Sequence, residues 1–224
     1  MDVNAETIAK ARVVYHQLQD EALASSPLAG MEEWIRDGAP PSAGVLRAGG
    51  LSAESERQDI RLARRAFIRR WGFSIPCAEA VAAIGRLGPL VEIGAGSAYW
   101  TALLRAAGHD VIATDILAAG EEESEFSVGR HAPSERLDGP GAIVKYPERD
   151  VFCSWPTEGA DWAMRAAVAI RPGRGLALIG DGRGGCTATA SLFDVLDAIF
   201  TVEAVVELPQ FPRIRDRLTI YRRT

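Results

Sequence analysis

Apolar positions change their spacing near Pro76. Upstream they recur at three- and four-residue intervals; downstream, short continuous apolar runs alternate with helical patterns. Between Asn4 and Leu23, Ile8, Val13 or Val14, and Leu18 lie near helical spacing, with Asn4 placed to cap the first turn. Residues 31–37 read as a short helix that follows Pro27 and Gly30 and stops at Gly38, and residues 39–50, rich in Pro and Gly, read as a loop. A further helix starts near Ser52, which holds an N-cap position with Glu56 close to the capping-box site. Its apolar stripe is Ile60, Ala63, Phe67 and Trp71, while Arg57, Arg61, Arg65 and Arg69 recur every four residues on another face.

Beyond Pro76 the pattern predicts a helix over 77–88, a strand at "PLVEI" (89–93), a helix at "SAYWTALLRAAG" (97–108) and a strand at "HDVIATD" (109–115). An irregular acidic region follows. Then come "RDVFCSW" (149–155), a helix over 159–170, "RGLALIG" (174–180) and a helix over 189–200. The chain closes on two strands, "TVEAVVEL" and "RLTIYRR", joined by "PQFPRIRD". Strands that alternate with helices imply an α/β protein whose parallel sheet is covered on both faces. Two consecutive strands at the end imply an antiparallel hairpin on one edge. The expected division is a helical cap over 1–75 and a sheet domain over 76–224.

Composition narrows the class. In 224 residues, 47% are apolar and 25% charged, as in ordinary globular proteins, and no apolar run approaches the ~20 residues of a membrane span. The N-terminus lacks a basic region followed by an apolar one, so a cytoplasmic location is expected. Cys77, Cys153 and Cys186 are widely spaced, which suits reduced structural thiols; no spacing suggests a metal. A net charge of −5 argues against non-specific nucleic-acid binding.

The stretch "VEIGAGSAYW" (91–100) carries the most chemistry. In an open parallel sheet, ligands sit beyond the carboxyl ends of the strands, where this loop lies. Gly94 and Gly96 let backbone approach a ligand closely, since a Cβ at either position would intrude. A dinucleotide loop needs a third glycine where Tyr99 stands, and Glu92 is an awkward neighbour for a pyrophosphate. S-Adenosylmethionine fits better: it has a cationic amino group, a sulfonium and a ribose diol, and no phosphate. Glu92 ends one strand, and Asp115 ends the next, 19 residues after Gly96, where it can accept both ribose hydroxyls. The bland alternative is a tight strand–helix turn in an unrelated α/β protein, with Asp115 capping a loop.

From Pro76 to Arg223 the chain resembles the class I S-adenosylmethionine-dependent methyltransferases, on "VEIGAGSAYW", "VIATD", "VFCSWP" and the closing pair of strands. More narrowly, "WGFSIP", "EIGAGSAYW", "CSWP", "IGDGRGGCTAT" and "DRLTIYRR" resemble a bacterial and fungal group of methyltransferases. Ala98 stands where the family motif commonly has a third glycine, and "WPTE" (155–158) where the group often has "WPPY". The resemblance implies a Rossmann-like seven-stranded mixed sheet with helices on both faces and an antiparallel C-terminal edge strand. It implies S-adenosyl-L-methionine held by Glu92, Gly94, Ala95, Gly96, Asp115 and Ile116, with Trp71 and Ser74 closing over it from the cap.

Catalytic candidates are His131, Trp155 and Glu158. His131 is the one histidine placed to act as a base; Trp155 and Glu158, with Cys153, follow the fourth strand where this class faces its acceptor. The glycine-rich "GDGRGGCT" (180–187) lacks a Walker lysine and can shape the acceptor pocket or simply turn. No G-x-S-x-G elbow supports a hydrolase. The expected activity is methyl transfer to a small molecule by a monomer or homodimer, without a membrane or nucleic-acid partner. Three alternatives stay open. The aminobutyryl arm of the cofactor can be transferred or cyclised with release of methylthioadenosine, the chain can bind the cofactor without turnover, or the arginine face from Arg57 to Arg69 can hold RNA phosphates rather than pair with Glu54, Glu56 and Asp59.

Overall fold

A computed structural model describes residues 5–117 and 129–224. The first five helices are α1 (Ala5–Ala24), α2 (Met31–Asp37), α3 (Ala43–Ala48), α4 (Gln58–Arg70) and α5 (Ala78–Ile84). Next come β1 (Leu90–Ile93), α6 (Tyr99–Ala106), β2 (Val111–Asp115), β3 (Ser134–Arg136), α7 (Gly139–Lys145) and β4 (Asp150–Ser154). The chain finishes with α8 (Trp162–Ala169), β5 (Gly175–Gly180), α9 (Ala190–Ile199), β6 (Phe200–Glu207) and β7 (Arg217–Arg223). Asn4 and the acidic run Glu121–Glu125 lie outside the described residues.

The described strands form one Rossmann-like mixed sheet of seven, in the order β3-β2-β1-β4-β5-β7-β6. The first five pair in parallel, and β7 lies antiparallel between β5 and β6. The chain leaves β1 for β2 on one side and reaches β4 on the other, so the sheet reverses its direction of growth at β1. A crevice opens at such a reversal beyond the carboxyl ends of the strands.

Alternation along the strands divides the interior in two. Leu90, Phe152, Ala177, Ile179, Leu218 and Ile220 face a core shared with α2, α4, α5 and α6. Val91, Ile93, Val151, Cys153, Leu176 and Leu178 face a second core under α7, α8 and α9. The predicted stripe of α4 is buried: Ile60, Ala63 and Phe67 are fully covered and Trp71 nearly so. Phe67 meets Trp71 at 5.2 Å, Tyr99 at 6.5 Å and Phe211 at 5.3 Å, which joins the N-terminal helices to the sheet. Full burial of such a side chain stabilises by about 1.5–3 kcal/mol.

Four local expectations are corrected. Residues 43–48, read as loop, form α3, because Ser42 accepts a hydrogen bond from the Val45 N–H and caps them. Ser52 does not cap α4, which begins at Gln58; a turn closed by Ser55 N–H to Ser52 O occupies that stretch. β3 and α7 went unmarked. Three polar residues, Ser-Glu-Arg, show no alternation, whereas Asp138 capping Gly141 with Pro140 in the first turn is a legible helix start. Finally, Ile8, Val13, Val14 and Leu18 are exposed, and α1 rests on α4 through Gln19 and Leu23. Arg69 donates to Gln19 and, at 3.0 Å, to Asp20, so part of the arginine face holds α1. Arg57 pairs with Asp59 as expected, at 2.6 Å.

Candidate functional site

A cavity of about 570 Å³ opens at the reversal point of the sheet, lined by residues from the ends of β1, β2 and β4 and from the segment after α4. Its size suits a small ligand. Gly94 and Gly96 both adopt left-handed backbone, with φ of 65° and 54°. Their roles differ. A Cβ on Gly94 would lie 2.8 Å from the Trp162 ring, so this glycine admits a protein side chain rather than a ligand. A Cβ on Gly96 would meet nothing within 4 Å, so the open approach is there. Ala98 is left-handed as well, φ 57°, at the start of α6.

Two carboxylates face this loop. Asp115 accepts the Gly96 N–H at 2.8 Å on one oxygen and the Leu117 N–H at 3.0 Å on the other, which holds both oxygens at the cavity wall with lone pairs to spare. Glu92 is almost wholly buried, yet it lines the cavity. Thr101 donates its hydroxyl to one Glu92 oxygen, and its backbone N–H also hydrogen-bonds the carboxylate. Burial pushes the Glu92 carboxyl up to about 8, against the pull of the Thr101 hydrogen bond. A buried acid on a cavity wall gains most from a cationic ligand. Tyr99, where a dinucleotide loop would carry glycine, turns its ring into the core and donates to Ser74 O at 2.5 Å.

Of the residues expected to hold the cofactor, Glu92, Gly94, Ala95, Gly96, Asp115, Ile116 and Trp71 line the cavity. Ser74 does not. Its buried hydroxyl contacts Tyr99 Oη (3.0 Å), Ser154 Oγ (2.8 Å) and Trp100 Nε1 (2.9 Å), which uses its one donor and two acceptor sites. It clasps β4 to α6 beneath the cavity instead. Among the catalytic candidates, Trp155 lines the cavity, and His131 and Glu158 do not. The His131 ring bonds Arg70 O at 2.9 Å, and Glu158 is exposed on the loop after β4. Cys153 lies on the opposite face of the sheet, buried in the second core, which raises its thiol pKa far above the ordinary range. The loop 180–187 lines a separate depression with Arg213 and Arg215 rather than this cavity.

Sequence reasoning missed several wall residues. Trp162, the first residue of α8, fills the space left by Gly94 and Gly139, with no partner visible in sequence. Leu137 and Asp138 follow the unmarked β3. Arg130 clamps the loop from behind, donating to Gly96 O at 3.1 Å and Leu117 O at 2.6 Å. Among the described residues, no group of three His, Cys, Asp or Glu is placed to hold a metal, and no helix is long and apolar enough to cross a membrane.

The chain is similar to several methyltransferases of known structure. Magnesium protoporphyrin IX methyltransferase from Synechocystis PCC 6803, with bound SAM, is 18% identical over 66% of this chain and 76% of that one, with a TM-score of 0.45. The glycopeptide N-methyltransferase MtfA, complexed with S-adenosyl-L-homocysteine, is 13% identical over 65% and 89%, with a TM-score of 0.45. The Burkholderia thailandensis 1,6-didemethyltoxoflavin-N1-methyltransferase, with 1,6-didemethyltoxoflavin and S-adenosylhomocysteine bound, is 19% identical over 81% and 88%, with a TM-score of 0.41. No protein-family model matches the chain, and no curated protein does.

Proposed function

We propose that this chain is an S-adenosylmethionine-dependent methyltransferase that acts on a small-molecule acceptor. The observation that carries the reading is that Glu92, Asp115 and the open side of Gly96 line one cavity. Asp115 has acceptor capacity left for a ribose diol. Glu92 offers a buried oxygen to the amino group. Asp138, Leu137 and Ile116 lie on the β2–β3 side, where the base would rest.

The cofactor would supply a methyl group already activated by a sulfonium. The chain's own task is alignment and exclusion of water, and positioning alone can account for about 7–11 kcal/mol of barrier. Trp71 and Phe73, on the segment leaving α4, and Ser154, Trp155 and Thr157, leaving β4, enclose the end where the acceptor would enter. In this reading α1–α4 form the cap, with Trp71 as its contact with the cofactor. Nothing in the wall requires a dedicated base for an acceptor that reacts as its neutral or anionic form.

The test is to incubate the protein with S-adenosylmethionine and a small-molecule fraction of cells, then separate the nucleosides. Accumulated S-adenosylhomocysteine supports methyl transfer. Accumulated methylthioadenosine would replace it with chemistry on the aminobutyryl arm. Binding with no consumption under any acceptor would leave a non-catalytic module.

A further inference from the structure

The wall at the β4 end rests on a buried carboxylate that the proposed chemistry does not use. Trp155, the first residue after β4, has φ 54°, a left-handed backbone that bulky side chains rarely adopt. Three contacts hold it. Its N–H donates to Ile179 O at 2.9 Å, its ring stacks on Phe73 with centroids 4.9 Å apart and 14° between planes, and its indole N–H donates to both oxygens of Asp216 at 2.9 Å.

Asp216 lies 61 residues further on, just before β7, and is 1% exposed. Burial pushes its carboxyl up to about 7. The groups that face it are Arg64 on α4 and Asp181 after β5. Arg64 Nε is itself buried without a hydrogen-bond partner among the described residues, and its guanidinium lies over the Phe211 ring at 5.8 Å. A buried acid served by one indole N–H is an expensive way to fill space, since an apolar residue of similar size would be cheaper. Among the described residues its side-chain hydrogen bonds go to a strained residue of the cavity wall.

The chemistry of that wall says what it is shaped for. Residues 71–73 and 154–157 contribute Trp71, Gly72, Phe73, Ser154, Trp155 and Thr157 to the cavity: three rings and no charge. One face of the Trp155 indole is taken by Phe73 and its N–H edge by Asp216, and the stacked pair Phe73 and Trp155 both line the cavity. Flat π-surface suits a flat ring better than a saturated ligand.

We propose that Asp216 is a positioning residue that locks Trp155 as the stacking platform for a planar aromatic acceptor. This rests on the cofactor reading above, and the test separates the two. With the full chain, binding of 2-naphthol and of its saturated counterpart 2-decalol is measured by calorimetry with and without S-adenosylhomocysteine, with tetramethylammonium as a cationic control. In parallel, the Trp155 indole N–H, identified by its loss in Trp155→Phe, is followed by ¹⁵N–¹H NMR.

2-Naphthol is expected to bind about tenfold more tightly than 2-decalol. Asp216→Ala should remove that preference and shift the Trp155 signal, while Asp216→Asn, which keeps one acceptor for the indole, restores both. S-Adenosylhomocysteine affinity should not move in either variant. Should Asp216→Ala fail to fold, Phe73→Leu, which removes the stack from the other face, is expected to give the same loss. Equal affinity for the two alcohols, tighter binding of tetramethylammonium, or an unchanged naphthol preference in folded Asp216→Ala would overturn the proposal. Failure of S-adenosylhomocysteine to bind the wild type sinks the cofactor reading alone, because the naphthol arms run without it.

Discussion

The two ends of the cavity are built from different materials. At the β1–β2 end the wall is backbone and carboxylate: a left-handed loop, Asp115 tied to two N–H groups, and Glu92 buried beneath. At the β4 end it is rings on a scaffold of distant residues, with Phe73, Trp155 and Asp216 drawn from three separate segments. The first end offers fixed charges and dipoles to a ligand of fixed chemistry. The second offers shape, which a few substitutions can change without disturbing the first.

Breaking the first end should produce the largest effect. Asp115→Ala removes the acceptor for two backbone N–H groups and for the diol, and should weaken S-adenosylhomocysteine binding by about 100-fold, roughly 3 kcal/mol, in a calorimetric titration. Binding of 2-naphthol should survive it; a joint loss would erase the distinction between the ends.

Next comes the glycine loop. Gly94→Ala forces a Cβ against Trp162 at a positive φ and should destabilise the fold by about 2–3 kcal/mol in urea unfolding. Gly96→Ala meets open space and should cost about 1 kcal/mol of stability, from its φ alone, while obstructing the ligand. Equal losses of stability would contradict the separate roles assigned to the two glycines.

Glu92 sharpens the contrast through pH. Its folded pKa, about 8, lies above the ordinary 4.5, so the folded protein holds the extra proton between those values. The stability this contributes is fully present below about pH 4.5 and is lost as pH rises towards 8. A cationic ligand favours the ionised form, so binding near pH 7 should release a proton and tighten with rising pH. Glu92→Gln should abolish the proton release, flatten the stability profile, and weaken cofactor binding by about tenfold at pH 8.5. Proton release is read from titrations in buffers of different ionisation enthalpy.

The smallest effect belongs to Ala98→Gly. It relieves a left-handed alanine at the start of α6 and should raise stability by up to about 1 kcal/mol in the same unfolding assay.

The same contrast explains what could be read from the chain. The β1–β2 end is contiguous: Glu92, Gly94, Gly96 and Asp115 fall within one strand–helix–strand unit, where spacing translates into geometry. The strands and helices after Pro76 were legible for the same reason, since their burial repeats with a fixed period. β3 was not, because three polar edge residues need no pattern to pair. α1 was legible as a helix but not in orientation, because Gln19 and Arg69 hold it rather than its apolar stripe. At the β4 end Trp155 was visible, while its partner Asp216 was hidden in the connection before the last strand. Ser74 and His131 sit near the cavity in sequence order, yet their hydrogen bonds turn them elsewhere. Only the fold decides where a saturated hydroxyl points.

The central claim is that the β1–β2 end binds S-adenosylmethionine. A calorimetric titration of the wild-type chain with S-adenosylhomocysteine, with NAD as control, tests it most directly. The account predicts one-to-one binding at about micromolar affinity with release of a proton near pH 7, and no heat with NAD. No binding, or a preference for NAD, would contradict it.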